Sequence, residues 1–350
     1  MGTLLQTVHL PLFTIVGAGV LDELPKALAD AHLSFRRGLV LSGSGATAPI
    51  GARVAAILAA AGMDVQLQPL DGGTFAEVDR VKRELVEGTW PDVLFAVGGG
   101  SILDVVKLAA AERRLPWISL PTAASNDGFC SPVAVLRGDG TRRNLGGEMP
   151  IGVIADLDVM RGADPRLRRA GFGDLLSNLT ACEDWKRAAA IGKASMNGMA
   201  ATFALSGARQ VLTAALGDAG EDSLSALLVE GLMLSGVAMA VCGTSRPCSG
   251  GEHLVSHELD RMGAGHGLHG EQVGVATLFC MALQGGDPAV LRAFGAATGM
   301  LVHPEALGVD RATFLHAARH APETRPGRWT VLSEVSDEQL ARAWDVAFEP

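Results

Sequence analysis

Four of the nine histidines of this 350-residue chain fall between Arg246 and Glu271, in RPCSGGEHLVSHELDRMGAGHGLHGE: His253, His257, His266 and His269. His253 and His257 are four residues apart. On a helix both rings would leave one face and could reach a single ion or substrate. His269 follows a glycine-rich turn and stands directly before Gly270 and Glu271, where another helical pattern begins. Neutral imidazole is the commonest protein ligand for a catalytic transition metal. Cys242 and Cys248 lie near these histidines but lack the spacing of a thiolate zinc site. The chain has no tyrosine, so no Tyr acid or base enters the chemistry.

A second chemical feature lies upstream. VLFAVGGGSILDVVKLAA is an apolar strand, a triple glycine, a serine and a helix start. Glycines let a phosphate approach the backbone, and the N–H groups and positive dipole end of the following helix hold the anion. Neither the GxGxxG fingerprint nor a P-loop GK[ST] is present, so a tight strand-to-helix turn is the competing reading. The next strand runs into LPTAASNDGFCSP, a polar loop at a strand's carboxyl end, where open α/β sheets place ligands.

The elements that must position these groups divide the chain. Phe13–Val16, Gly38–Leu41, Asp64–Gln68, Val93–Val97 and Trp117–Leu120 read as strands, with helical patterns over Ile50–Ala61, Phe75–Glu87 and Ile102–Arg113. This alternation implies parallel β/α units. Beyond Pro165 the chain is rich in alanine, leucine, methionine and glycine. Arg166–Ile191, Ser195–Leu216, Ser223–Val241 and Ala289–Thr298 read as helices. The expectation is an α/β, Rossmann-like domain with a parallel sheet over residues 1–163 and an all-α domain over 164–350. Asp174 is read at the start of a helix, where it would serve as an N-cap or as a ligand.

Composition sets outer bounds. The chain is 48% hydrophobic and 19% charged, which suits a folded α/β protein. A net charge of −9 argues against nucleic acid or an anionic membrane as the main partner, yet permits a small anionic substrate in a locally positive pocket. Five cysteines without a CxxC read as reduced thiols, and no positive charge precedes Lys26, so a cytoplasmic location is expected. The longest apolar run, Ala226–Cys242, is interrupted by Glu230 and reads as a core helix rather than a membrane span.

Taken in order, GGGSILD, PTAASNDG, GFGDLLSN, GGEHLVSHELD and LHGEQVG resemble the iron-type alcohol dehydrogenase and dehydroquinate synthase-like superfamily, and within it the sn-glycerol-1-phosphate dehydrogenase group. The resemblance runs from FTIVGAG at Phe13 to RPGRWTVL at Arg325–Leu332, and SNDGFCSP and SRPCSGGEHLVSH are its most specific segments. It implies a dehydroquinate synthase-like fold. It implies Asp174, His253 and His269 as ligands of one divalent metal, with His257 as a catalytic residue facing substrate. Asn178 stands where iron-binding relatives carry a histidine, which favours zinc, with nickel or iron as alternatives. Gly98, Gly99, Gly100 and Ser101 match the pyrophosphate loop for NAD or NADP, and Thr122, Ser125 and Ser131 match positions around the nicotinamide. Asp127 matches a substrate-contacting, catalytic carboxylate, and Asp174 also lies on the substrate side.

The activity implied is NAD(P)H-dependent reduction of dihydroxyacetone phosphate to sn-glycerol 1-phosphate, or its reverse, in a homo-oligomer. Arg246 is the first candidate for the phosphate, ahead of Arg142 and Arg143, and His266 is read as a loop residue. The rival readings are a dehydrogenase of glycerol, another polyol or a phosphonate, and a cyclase that eliminates phosphate without net use of NADH.

Overall fold

The computed structural model describes residues 7–87, 91–138 and 141–349, and the side chains of Arg142 and Arg143 fall outside the described ones. The chain forms two compact units. The first comprises Met1–Thr122, Gly128–Gly162 and Ala240–Gly243, and the second Ala123–Asp127, Ala163–Met239 and Thr244–Pro350.

In the first unit the chain runs β1 (Phe13–Gly17), α1 (Leu24–Asp30), β2 (Arg37–Gly43), α2 (Ala48–Ala60), β3 (Asp64–Leu70), α3 (Phe75–Glu87), β4 (Val93–Gly98), α4 (Gly100–Arg113) and β5 (Trp117–Pro121). An antiparallel hairpin follows, β6 (Val133–Gly138) with β7 (Thr141–Gly146), then β8 (Gly152–Asp156) and α5 (Leu157–Arg161). Six strands form one parallel sheet in the order β1-β8-β5-β4-β2-β3. Every residue of β4, β5 and β8 is buried, as expected of strands covered on both faces. The winding direction reverses between β2 and β4, because β3 lies to one side of β2 while β4 and β5 lie to the other. Such a switch point opens a crevice at the carboxyl ends of the two strands, here Gly43 and Gly98.

The second unit is helical: α6 (Pro165–Leu176), α7 (Asn178–Ala190), α8 (Gly198–Leu216), α9 (Glu221–Cys242), α10 (Gly251–Met262), α11 (His269–Leu283), α12 (Ala289–Thr298), α13 (Arg311–His320) and α14 (Asp337–Phe348). The Rossmann-like first part and all-α second part agree with the sequence pattern. The helix expected over Arg166–Ile191 is two helices, α6 and α7, parted at Ser177. Asp174 does not open a helix. It lies in the last turn of α6, and the N-cap is Asp164, whose side chain accepts the Arg166 N–H at 2.8 Å. Among the described residues only α9 is long and apolar enough to cross a membrane, and half of its most apolar window is buried.

The tightest helix contact in this unit joins α6 to α11 without side chains between them. A Cβ on Gly173 would stand 2.1 Å from the Gly270 carbonyl oxygen and 2.9 Å from the Gly274 Cα. A Cβ on Gly270 would stand 2.1 Å from the Ala170 carbonyl oxygen. Backbone cannot yield as a flexible side chain can, so a methyl here must force the helices apart. Gly173→Ala is therefore expected to destabilise the protein by about 1–3 kcal/mol. It should also lower bound metal, because Asp174 and His269 flank the contact. A thermal melt with metal analysis checks both, and unchanged values for both would show that the helices separate at no cost.

Candidate functional site

The carboxyl end of α6, the first turns of α10 and the first residue of α11 converge on one point. His253 Nε2 lies 3.7 Å and His269 Nε2 3.9 Å from Asp174 Oδ1. One atom from each residue falls within 4.8 Å of the other two. A tetrahedral zinc shell has bonds of about 2.0–2.1 Å, which puts ligand atoms roughly 3.4 Å apart. The three side chains therefore fit a divalent ion with a small contraction. Two neutral imidazoles and a carboxylate leave such a site at +1 with open positions for water and substrate oxygens.

Each of the three side chains is fixed from behind. Asp174 is nearly buried, and its Oδ2 accepts the Asp127 backbone N–H at 3.1 Å, leaving Oδ1 for the histidine side. Glu252 Oε1 lies 3.1 Å from His253 Nδ1 and also accepts the Gly250 N–H, while Oε2 accepts from Thr180 Oγ1 at 2.8 Å. A carboxylate at Nδ1 keeps the proton there and turns Nε2 toward the metal position.

For His269 the direction follows from a chain of donors. Gln272 Nε2 donates to Asp260 Oδ1 at 3.3 Å, so Gln272 Oε1 faces Ser256 and accepts its hydroxyl proton at 2.7 Å. The Ser256 oxygen, 3.0 Å from His269 Nδ1, is then the acceptor of the Nδ1–H. His269 is the first residue of α11, and Glu271 holds that helix start. Its carboxylate accepts the Leu268 N–H at 2.8 Å and both Arg166 Nε at 2.7 Å and Nη2 at 2.6 Å.

The electrostatics favour a cation. Burial opposes a charge on His253, but hydrogen bonds from its ring to the Asp174 and Glu252 carboxylates outweigh it and raise its pKa to about 9. A proton thus occupies the place that a metal must take. Behind Glu252, Asp184 accepts the Gly251 and Val331 N–H groups and Gln284 Nε2. Burial and the neighbouring Glu252 charge push its pKa up to about 7.

His257 stands beside these three side chains. Its ring centroid is 6.0 Å from that of His269, nearly parallel to it, and 6.5 Å from that of His253. His266 is exposed on the preceding loop, where its carbonyl accepts from Arg166 Nη2. Asn178 is wholly buried and donates to the Ala204 carbonyl and Ser235 Oγ, a helix-packing contact. Arg246 is half-buried, with Nη1 3.4 Å from the Trp329 carbonyl. Ser125 also belongs to this unit.

In the first unit, Gly98 ends β4, Gly99 caps α4 and Ser101 is exposed in the first turn. A Cβ on Gly99 would meet nothing within 4 Å, so there is open space above this helix start. Its N–H groups and dipole face that space at the switch point of the sheet. Thr122 follows β5 and is tied to the same loop, its N–H donating to the Gly98 carbonyl at 3.0 Å. Ser131 is buried, and its hydroxyl donates to the Val133 carbonyl at 3.2 Å.

Sequence reasoning missed Lys107, a wholly buried ammonium on α4 that donates to Asp104 Oδ1 at 3.1 Å, the Gly128 carbonyl at 2.7 Å and the Val133 carbonyl at 2.5 Å. It fastens the glycine-loop helix to the segment after SNDG. The signal was an Asp and a Lys three residues apart inside an otherwise apolar helix.

Residues 15–164 match the iron-containing alcohol dehydrogenase family. The chain is 35% identical over 336 residues to a protein of Methanothrix thermoacetophila named glycerol-1-phosphate dehydrogenase, NAD(P)+, covering 96% of this chain and 94% of that one. A protein of the same name from Methanosarcina acetivorans is 36% identical over 325 residues, covering 93% and 91%. Among solved structures, glycerol dehydrogenase of Schizosaccharomyces pombe superposes with a TM-score of 0.77 at 20% identity, covering 98% of this chain and 90% of that one. Sulfoacetaldehyde reductase of Bifidobacterium kashiwanohense superposes with a TM-score of 0.76 at 16% identity, covering 99% and 100%. The structural likenesses establish a shared fold.

Ser256→Ala removes the acceptor of the His269 Nδ1–H and is expected to weaken metal binding about 10- to 100-fold. Competition against a chromophoric chelator measures it. Ser256→Thr keeps the hydroxyl and should restore most of the affinity, and equal affinity in all three proteins would remove Ser256 from the site.

Proposed function

This chain belongs to the glycerol-1-phosphate dehydrogenase family of the iron-containing alcohol dehydrogenases, and from that premise we propose that it reduces dihydroxyacetone phosphate to sn-glycerol 1-phosphate, reversibly, with NAD(P)H. The observation that carries the reading is the convergence of Asp174, His253 and His269 on one point in a chain about 35% identical to these relatives. A divalent ion bound there acts as a Lewis acid on the carbonyl oxygen, and NAD(P)H supplies the hydride.

The chain's own residues do the rest. Asp174 Oδ1, His253 Nε2 and His269 Nε2 hold the ion, most simply zinc from this donor set, with nickel or iron tested by reconstitution. Glu252 and Ser256 keep both Nδ1 protons in place, so the ligand lone pairs stay aimed as substrate arrives. His257, beside the ligands, delivers or accepts the proton at the substrate oxygen, directly or through a water. Asp127 places its backbone on Asp174 and its carboxylate toward substrate hydroxyls. The β4–α4 loop, Gly98 to Ser101, receives the cofactor's pyrophosphate, with Thr122, Ser125 and Ser131 toward the nicotinamide half. Arg246 takes the phosphate of the substrate. None of the five cysteines is joined in a disulfide among the described residues, which suits a reducing cytoplasm. Self-association follows from family kinship, and a small phosphorylated molecule is the expected partner, not nucleic acid or membrane.

The test is oxidation of NADH and of NADPH with dihydroxyacetone phosphate, with and without chelator, followed by determination of the product's stereochemistry. Chelation should abolish turnover and added divalent metal restore it. Asp174→Asn should lower kcat/KM by about a thousandfold, and His257→Asn should lower kcat by about a hundredfold. The sn-3 product, or activity indifferent to chelator, would overturn the reading.

A further inference from the structure

The loop that leads into α10 and the turn before residue 331 bring three arginines together. Arg325-Pro326-Gly327-Arg328 is a tight turn: the Arg328 N–H donates to the Arg325 carbonyl at 3.1 Å, and Gly327 takes φ +83°. Pro at the second position and a left-handed Gly at the third make this a rigid type II turn. It sets its first and fourth side chains near each other. Arg325 Nη1 and Arg328 Nη2 both donate to Ser245 Oγ, at 3.0 and 3.1 Å. Arg328 Nη1 also donates to the Ser249 carbonyl at 2.6 Å. Arg246, the neighbour of Ser245, reaches the Trp329 carbonyl.

These cations are gathered where solvent is scarce. Arg328 is buried, Arg246 and Arg325 half-buried, and neither of the latter two has a carboxylate within 4 Å among the described residues. Burial lowers the pKa of Arg246 against the opposing charge of Asp184, and burial together with the Arg246 charge lowers that of Arg325. Concentrated positive charge of this kind is costly unless an anion answers it. Ser245 adds a donor, because its oxygen accepts two N–H bonds and its hydroxyl proton has no acceptor among the described residues. The cluster is tied to the metal ligands through backbone. Ser249, which Arg328 holds, lies four residues before His253, and Ser177 Oγ donates to both the Asp174 carbonyl at 2.6 Å and the Cys248 carbonyl at 3.4 Å.

We propose that Arg246, Arg325, Arg328 and the Ser245 hydroxyl form one phosphate-monoester pocket, in which the Arg325–Arg328 turn supplies two of three guanidinium groups. This rests on, and deepens, the reading of a phosphorylated substrate. Guanidinium forks bind phosphate oxygens in pairs, so losing one is a specific loss that a lysine only partly repairs.

The test uses the metal-loaded enzyme and the variants Arg325→Gln and Arg328→Lys. The first alters a half-buried side chain and the second keeps the charge, so both are suited to folding. Two readouts are taken: the ratio of kcat/KM for dihydroxyacetone phosphate to that for dihydroxyacetone, and the rise in Tm caused by inorganic phosphate. Arg325→Gln should lower the ratio about 10- to 100-fold and remove the phosphate-induced rise. The NADH-to-NADPH preference should stay as in the parent. If the parent turns over the phosphorylated substrate and the variants keep both ratio and rise, the pocket is wrong and the function stands. If the parent ignores that substrate yet phosphate stabilises it through these arginines, the function fails and the pocket stands. A shift confined to cofactor preference would assign the arginines to the cofactor's phosphate and overturn the pocket.

Discussion

The contact on which the candidate metal centre depends is a meeting of backbones. Gly173 on α6 lies against Gly270 and Gly274 on α11 with no room for a methyl group on the facing positions. Side chains between helices normally hold their axes 8–10 Å apart. Their removal here lets Asp174, one residue beyond Gly173, face His269, one residue before Gly270. Both ligands thereby sit on near-rigid backbone, and little ordering remains to be done when an ion binds. The Arg166–Glu271 pair works in the same direction, since it joins the start of α6 to the start of α11 by two hydrogen bonds from one guanidinium. It is partly exposed, so its own contribution to stability is small, and its value lies in fixing an angle.

A rigid frame would be of little use if the rings could turn. His253 is held by the carboxylate of Glu252 and His269 by the neutral hydroxyl of Ser256. The two partners differ in charge, so the two imidazoles differ as ligands. The anion behind His253 makes it the more electron-rich donor of the two. The negative charge behind His253 is itself contained. Asp184 lies beside Glu252 with a pKa pushed up to about 7 by burial and by that neighbour, so near neutrality the two carboxyls do not both carry a full charge.

The strongest sequence signals were those with one physical cause. Val93–Val97 is apolar without a break because both faces of its strand are covered, and Phe75–Glu87 shows a clean amphipathic period because one face is wet. The parallel sheet and the helical second part follow from such patterns. Signals with two causes were harder to read. Gly152–Asp156 is a buried strand, yet the helix that follows it, Leu157–Arg161, has only five residues, too few to show the period that would mark a β/α unit. The separation of α6 from α7 at Ser177 is invisible in composition, because the Ser177 hydroxyl faces both the Asp174 carbonyl one turn back and the Cys248 carbonyl far along the chain. The His253–His257 spacing allowed both rings to reach one ion or one substrate and could not say which. Only the fold shows that His269, thirteen residues from Ser256, joins His253 while His257 stands alongside. Arg325 and Arg328 carried a turn signature, RPGR, whose meaning as a pair of charges depends on Ser245 arriving from 80 residues earlier.

The balance of charge in this protein is local, and its overall value misleads. A net charge of −9 spread over 350 residues is screened in cellular salt over about 8 Å. Within that distance a substrate feels only the groups that surround it. At Asp174, His253 and His269 a divalent ion, once bound, would overcompensate one carboxylate. At Ser245 the guanidinium groups of Arg325 and Arg328 meet, with Arg246 beside them, and no acid lies within 4 Å of Arg246 or Arg325 among the described residues. The remaining acids serve elsewhere, as Asp164, Asp310 and Glu271 do at helix starts, where their charge is matched to backbone N–H groups and dipoles. An acidic chain can therefore hold a doubly anionic substrate, provided its folding keeps carboxylates off the few places where cations gather. Partial burial of those cations is what makes them specific. A guanidinium stripped of water gains more from a phosphate oxygen than one left in solvent, and gains nothing comparable from a neutral polyol.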